Sequence, residues 1–162
     1  MNKDKLKKIG SIALAIIIPL AIGGLSAFLT HKSMETFEKL NQPLLSPPSW
    51  LFPIVWTILY ILMGIASYLI YKNKNIYFFE ERDKALVFYV IQLILNFAWS
   101  IIFFNMKLYT VAFILLVVLW ITILLLLINT KKVNKIAFYL LIPYLLWVTF
   151  AGYLNIMIAI LN

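Results

Sequence analysis

Asn41–Tyr60 reads NQPLLSPPSWLFPIVWTILY, a polar connection that runs without a break into an apolar, aromatic-rich helix. Pro43, Pro47 and Pro48 lie in the connection, and Pro53 falls inside the first turn or two of the helix. A Pro-Pro pair favours an extended backbone and removes two N–H donors, so it ends a loop or opens a helix. Trp50 and Trp56 then stand at a helix mouth beneath a stiff flap. Such an entrance is a place to hold a flat apolar ligand. The plainer reading is a pair of loop-ending prolines beside an interfacial belt of tryptophans.

The rest of the chain decides what this helix belongs to. Its 162 residues are 64% hydrophobic, 16% aromatic and 12% charged, where a soluble domain carries roughly 25% charged residues; the mean hydropathy is +0.98. This is an integral membrane composition. Apolar runs at about 9–30, 50–71, 85–106, 108–130 and 136–161 are each long enough, at about 1.5 Å per residue, to cross a hydrocarbon core of roughly 30 Å. The expected fold is an all-α membrane protein, a five-transmembrane-helix bundle in one domain with no separate soluble part.

The first run follows Lys3, Lys5, Lys7 and Lys8 and resembles a signal peptide in outline, with Ala21-Ile22-Gly23 imitating a cleavage site. It is too long for a signal core and reads as helix 1. Pro19 should kink it, and Gly23 with Ala27 forms a spacing that admits a close helix. His31–Ser49 is the longest stretch without its own span. The fourth run is apolar all round, has no sidedness to read, and is expected to be the most lipid-exposed helix.

The net charge of +8 sits in short lysine clusters between the runs, which is how membrane topology is written and not how nucleic acid is bound. With five spans, one side carries Lys3, Lys5, Lys7, Lys8, Lys72, Lys74, Arg82, Lys84, Lys131, Lys132 and Lys135, against Lys32, Lys39 and Lys107 on the other. The N-terminus is expected in the cytoplasm, with the C-terminus and the flap outside, in a bacterial cell membrane.

Gln92, Asn96 and Trp99 are spaced four and three apart and share one helical face with Phe103. Buried amides in lipid must find partners, so Gln92 and Asn96 are interhelical glue, polar contacts in a pocket, or both. In helix 5, Pro143 bends the backbone and Tyr144, Trp147 and Asn155 follow. Trp56, Trp99 and Trp147 all lie too deep for a belt at their own helix ends, and converge in the outer half of the bundle if the flap covers them.

The usual chemical constellations are missing. All six acids lie in connections or the N-terminal tail, no cysteine exists, and His31, the only histidine, reads as solvated at a helix end. A lone histidine without cysteine gives no recognisable zinc or haem-attachment site. No base accompanies a serine or threonine into the membrane, and no glycine-rich phosphate loop is present. No cofactor or metal is expected.

Four separated motifs in order carry a resemblance over nearly the whole chain. They are Pro43 with Pro47-Pro48-Ser49-Trp50; Val55 through Gly64, with Trp56 and Tyr60; Gln92 with Leu95 through Ser100 and Phe103-Phe104; and Pro143 through Trp147 with Leu154-Asn155. The chain resembles the TspO/MBR family, the tryptophan-rich sensory proteins related to the translocator protein. The resemblance implies a five-helix bundle, commonly a homodimer, whose outer-half pocket under the first connection binds porphyrins and other flat hydrophobic ligands. The family's pocket tryptophans map onto Trp56 and Trp147 and its helix 3 asparagine onto Asn96. The candidate ligand-binding residues are Phe37, Pro47, Trp50, Trp56, Tyr60, Gln92, Asn96, Trp99, Tyr144 and Trp147.

This chain departs from the family at Thr36-Phe37, Leu45 and Pro53-Ile54, so the flap has lost two aromatic rings. Ile156 and Ile160 replace the residues of the cholesterol motif of animal relatives, which does not support that role. The resemblance implies a sensor or carrier for tetrapyrrole-like ligands, or an enzyme in which Trp56 and Trp147 assist light- and oxygen-dependent porphyrin breakdown; the rival reading is a structural membrane partner whose pocket is incidental.

Overall fold

A computed structural model describes residues 3–162, leaving aside the side chains of Lys3, Asp4, Met34 and Thr36. The departure at Thr36 therefore lies outside the described side chains. The chain forms five long helices, α1 (Lys3–Glu38), α2 (Leu51–Lys72), α3 (Phe79–Ser100), α4 (Tyr109–Val133) and α5 (Lys135–Leu161). All five are long and apolar enough to cross a membrane, and the protein is an all-α membrane bundle.

The largest difference from the expected boundaries is at α1, which continues two turns beyond Thr30. Residues 31–38, HKSMETFE, hold neither proline nor glycine, so polarity ends the membrane run but not the helix. The continuation is also tied down. Ser33 Oγ donates to Asn105 Oδ1 at 2.7 Å, and the Phe37 ring packs on Phe52, Phe103 and Phe104 with centroids 6.1, 5.8 and 5.6 Å away. Its 36 residues span roughly 54 Å, well beyond the thickness of a hydrocarbon core. The connection that remains, residues 39–50, is short and is held to the far end of α5: Asn41 N–H donates to Asn162 Oδ1 at 2.9 Å and Asn162 Nδ2 returns to the Asn41 carbonyl at 3.3 Å.

α1 and α2 meet through glycine. A β-carbon at Gly64 would lie 2.5 Å from Ile16 Cα and 2.7 Å from the Ala15 carbonyl oxygen, so the two backbones touch there. In lipid, where hydrophobicity gives no net drive between helices, this closeness is what holds them. Gly23 belongs to the same interface, against Tyr60, and so serves packing within one bundle.

The lipid exposure expected of α4 falls to α1 instead. Only 11% of the apolar window of α1 is buried, against 39% for α4. α4 packs between α3 and α5, with Leu119, Ile123 and Leu126 in the core; its uniform apolarity concealed a buried face.

α3 begins earlier than hydropathy indicates, after a 3₁₀ turn at Ile76–Phe78. Glu80 and Glu81 in its first turn suit the positive end of the helix dipole. Its other end widens into a π turn, Ile101–Asn105, where Met106 N–H reaches the Ile101 carbonyl at 3.0 Å. The extra residue per turn brings Phe103 and Phe104 both inward. Lys107 then reverses the chain with φ 56°.

Candidate functional site

α1 ends, α2 begins and α3 ends at the same end of the bundle. Between them lies a cavity of about 310 Å³ lined by Gly23, Ser26, Ala27, Thr30, His31, Phe52, Pro53, Trp56, Tyr60, Trp99, Ser100 and Phe104. The α1 wall is a stripe at 23, 26/27 and 30/31, the three-to-four spacing of one helical face. Every residue of the stripe before His31 is small, which is why space remains. The opposite walls are aromatic, from the first turns of α2 and the last of α3.

Each ring is fixed by a different contact. Trp56 stacks on Tyr60 with centroids 5.5 Å apart at 29°, and meets Tyr144 edge-on at 6.2 Å. Trp99 stacks on Phe103 at 5.2 Å and 26°, while its Nε1 donates to Asn155 Oδ1 at 3.0 Å; Asn155 Nδ2 in turn donates to the Tyr109 carbonyl at 2.8 Å. Phe37, Phe52, Phe103 and Phe104 close the end above the cavity. Pro53 follows Leu51 and Phe52 in the first turn of α2, where its missing N–H costs nothing.

The floor is polar and fully interhelical. Tyr60 Oη donates to Asn96 Oδ1 at 3.4 Å, Asn96 Nδ2 to Tyr144 Oη at 3.1 Å, Tyr144 Oη to Gln92 Oε1 at 2.7 Å, and Gln92 Nε2 to Met63 Sδ at 3.7 Å. The chain joins α2, α3 and α5, and Gln92, Asn96 and Tyr144 are at most 2% exposed. These amides bind helices together beneath the cavity and are not among its lining residues.

Of the candidate residues, the structure thus brings Trp56, Tyr60 and Trp99 to the cavity wall. Phe37 packs on the rings that cap it, Gln92, Asn96 and Tyr144 form the floor, Pro47 lies half-buried in the connection, and Trp50 is 63% exposed at the start of α2. Trp147 stands elsewhere. It lines a separate apolar groove between α2 and α5 with Pro143 and Phe150, and touches the cavity only through Phe52, at 6.0 Å. Its Nε1 is buried without a partner among the described residues. His31 is not at a helix end, as expected, but inside α1 at the cavity wall. Ser26, Thr30, Ser100, Phe52 and Phe104 line the cavity but were not among the candidate ligand-binding residues, although Ser100 and Phe104 belong to the motifs of the resemblance; the small-residue stripe in α1 is the signal that marks its wall.

A membrane-spanning bundle of five helices with an aromatic-walled cavity beneath one end is the class that this fold and site define. Residues 15–161 match the TspO/MBR family, and the chain belongs to it. It is 41% identical over 160 residues to the tryptophan-rich protein TspO of Chlorobaculum tepidum, across 96% of this chain and 98% of that one. It is 35% identical over 124 residues to the tryptophan-rich sensory protein of Cereibacter sphaeroides, covering 76% and 75% of the two chains. The translocator protein of Sus scrofa is likewise 35% identical over 124 residues, 76% of this chain and 73% of that one.

Proposed function

We propose that the protein binds flat, conjugated, apolar ligands of the tetrapyrrole type in the α1–α2–α3 cavity and acts as their sensor or carrier. The observation that carries this reading is the wall itself: Trp56, Tyr60, Trp99, Phe52 and Phe104 surround a cavity of about 310 Å³, at the lower bound of small-molecule sites. Aromatic planes give a flat conjugated ligand large contact area at little entropy cost. Quenching of tryptophan fluorescence by protoporphyrin in nanodiscs tests it. Saturable quenching at one site per chain supports the reading, and quenching that rises linearly, as for partition into lipid, defeats it.

The lysine distribution supports a cytoplasmic N-terminus and an outward-facing cavity end in a bacterial cell membrane. Reporter fusions at both termini decide the orientation, and a cytoplasmic C-terminus would reverse it. For the assembly we favour a homodimer through the exposed apolar face of α1, where Leu14, Ile17 and Leu25 are each more than half exposed. Cross-linking in native membranes that yields monomer alone counts against it.

A further inference from the structure

The end of the bundle opposite the cavity is built from the α2–α3 and α4–α5 connections, and the two are locked together. Asn73 Nδ2 donates to the Val133 carbonyl at 2.6 Å, the Arg82 guanidinium donates to the Asn73 carbonyl at 3.3 Å, and Lys132 pairs with Glu81 at 3.2 Å. Pairing uses up the acids of the α2–α3 connection: Glu80 goes to Lys84, Glu81 to Lys132 and Asp83 to Arg82. Lys72, Lys74, Lys131 and Lys135 are exposed and make no ion pair among the described residues. Their charge points to an anion outside the chain.

The same platform holds apolar surface outward. Asn75 N–H donates to Asn73 Oδ1 at 2.8 Å and Tyr77 N–H to Asn75 Oδ1 at 3.1 Å, and the 3₁₀ turn they fix leaves Ile76 79% and Tyr77 85% exposed. Tyr71, Ile136 and Tyr139 are also each well over half exposed. The 22 residues of α2 span about 33 Å, so the chain past Lys72 emerges at the headgroup level of a bilayer. Tyrosine suits that level, with an apolar ring and a polar tip. A layer of anionic headgroups meets the unpaired cations, the outward rings and the depth together. We propose that this end is a binding surface for anionic phospholipid, in which Lys72, Lys74, Lys131 and Lys135 pair with the headgroup phosphates while Ile76 and Tyr77 wedge between the headgroups. A lipid with net negative charge supplies the missing anions, whereas zwitterionic phosphatidylcholine brings its own cation.

The test titrates the full chain in neutral detergent with phosphatidylglycerol and with phosphatidylcholine, and counts retained lipid by native mass spectrometry. Wild type should prefer phosphatidylglycerol by at least about tenfold. The fourfold variant Lys72→Gln/Lys74→Gln/Lys131→Gln/Lys135→Gln should lose that preference and keep its melting temperature in phosphatidylcholine, because none of the four lysines holds an ion pair in the bundle. The Lys72→Gln/Lys74→Gln pair alone should lose part of it, which keeps the test decisive if the fourfold variant does not fold. Ile76→Ser/Tyr77→Ser should weaken retention of both lipids, and Lys32→Gln/Lys39→Gln, at the cavity end, should retain the full preference. Equal retention of the two lipids by wild type, or an undiminished preference in both lysine variants, overturns the proposal. Release of phosphatidylglycerol by inorganic phosphate at constant ionic strength overturns it too, in favour of a free-anion site.

Discussion

Gly23 of α1 lies directly against the ring of Tyr60 of α2: a β-carbon at position 23 would stand 2.2 Å from Tyr60 Cε2. The same ring stacks on Trp56 and donates its hydroxyl to Asn96. One contact thus links the packing of α1, the cavity wall and the polar floor, and a residue larger than glycine at 23 displaces a ring that both Trp56 in the wall and Asn96 in the floor depend on.

Overpacking at this contact costs about 1–3 kcal/mol. Gly23→Ala should therefore lower the melting temperature in detergent, and Gly64→Ala should lower it more, because the obstructing atoms there are backbone atoms of Ala15 and Ile16. Gly24→Ala, where nothing lies within 4 Å, should be neutral or gain up to about 1 kcal/mol from helix propensity. Equal melting points for Gly23→Ala and Gly24→Ala would mean that α1 does not sit on Tyr60.

Tyr144 both donates and accepts in the buried chain, so Tyr144→Phe strands Gln92 Oε1 and Asn96 Nδ2 at once. Buried groups left unsatisfied cost about 1–3 kcal/mol, less where a membrane-embedded reference state finds other partners. A double-mutant cycle of Tyr144→Phe with Asn96→Ala, followed by unfolding, should be non-additive by at least about 0.5 kcal/mol. Strict additivity would show that the two side chains act independently.

The tryptophans separate the cavity from its surroundings. Trp56→Ala should weaken porphyrin binding about tenfold, equivalent to about 1.4 kcal/mol, since it removes a wall and a stacking plane. Trp147→Ala should act less, only through Phe52. Trp120→Ala should leave affinity unchanged, because that ring lies in a groove between α4 and α5 with its Nε1 donating to Thr149 Oγ1 at 2.9 Å. A loss at Trp147 exceeding that at Trp56, measured in the same fluorescence titration, would move the site to the α2–α5 groove.

Hydropathy and spacing made the five helices legible, and the Gln92–Asn96–Trp99 face was readable because helical period and buried polarity coincide there. What they could not show was of two kinds. The continuation of α1 through residues 31–38 has no membrane signature, and depends on Phe37 finding Phe52, Phe103 and Phe104. The π turn at Ile101–Asn105 and the inward face of α4 likewise exist only in tertiary context. Trp147 looked like a partner of Trp56 from depth and from the family resemblance, yet neither says which gap a ring enters, and here the ring lies in the α2–α5 groove.

The most direct test of the α1–α2–α3 cavity as the binding site is to fill it. Ala27→Phe places a ring in the small-residue wall, while Leu146→Phe, in the groove that holds Trp147, serves as its counterpart. Titration of both with protoporphyrin, after confirming equal melting temperatures, should show saturable binding lost or weakened at least tenfold in Ala27→Phe and unchanged in Leu146→Phe. Wild-type affinity in Ala27→Phe together with a loss in Leu146→Phe would contradict the assignment of the site.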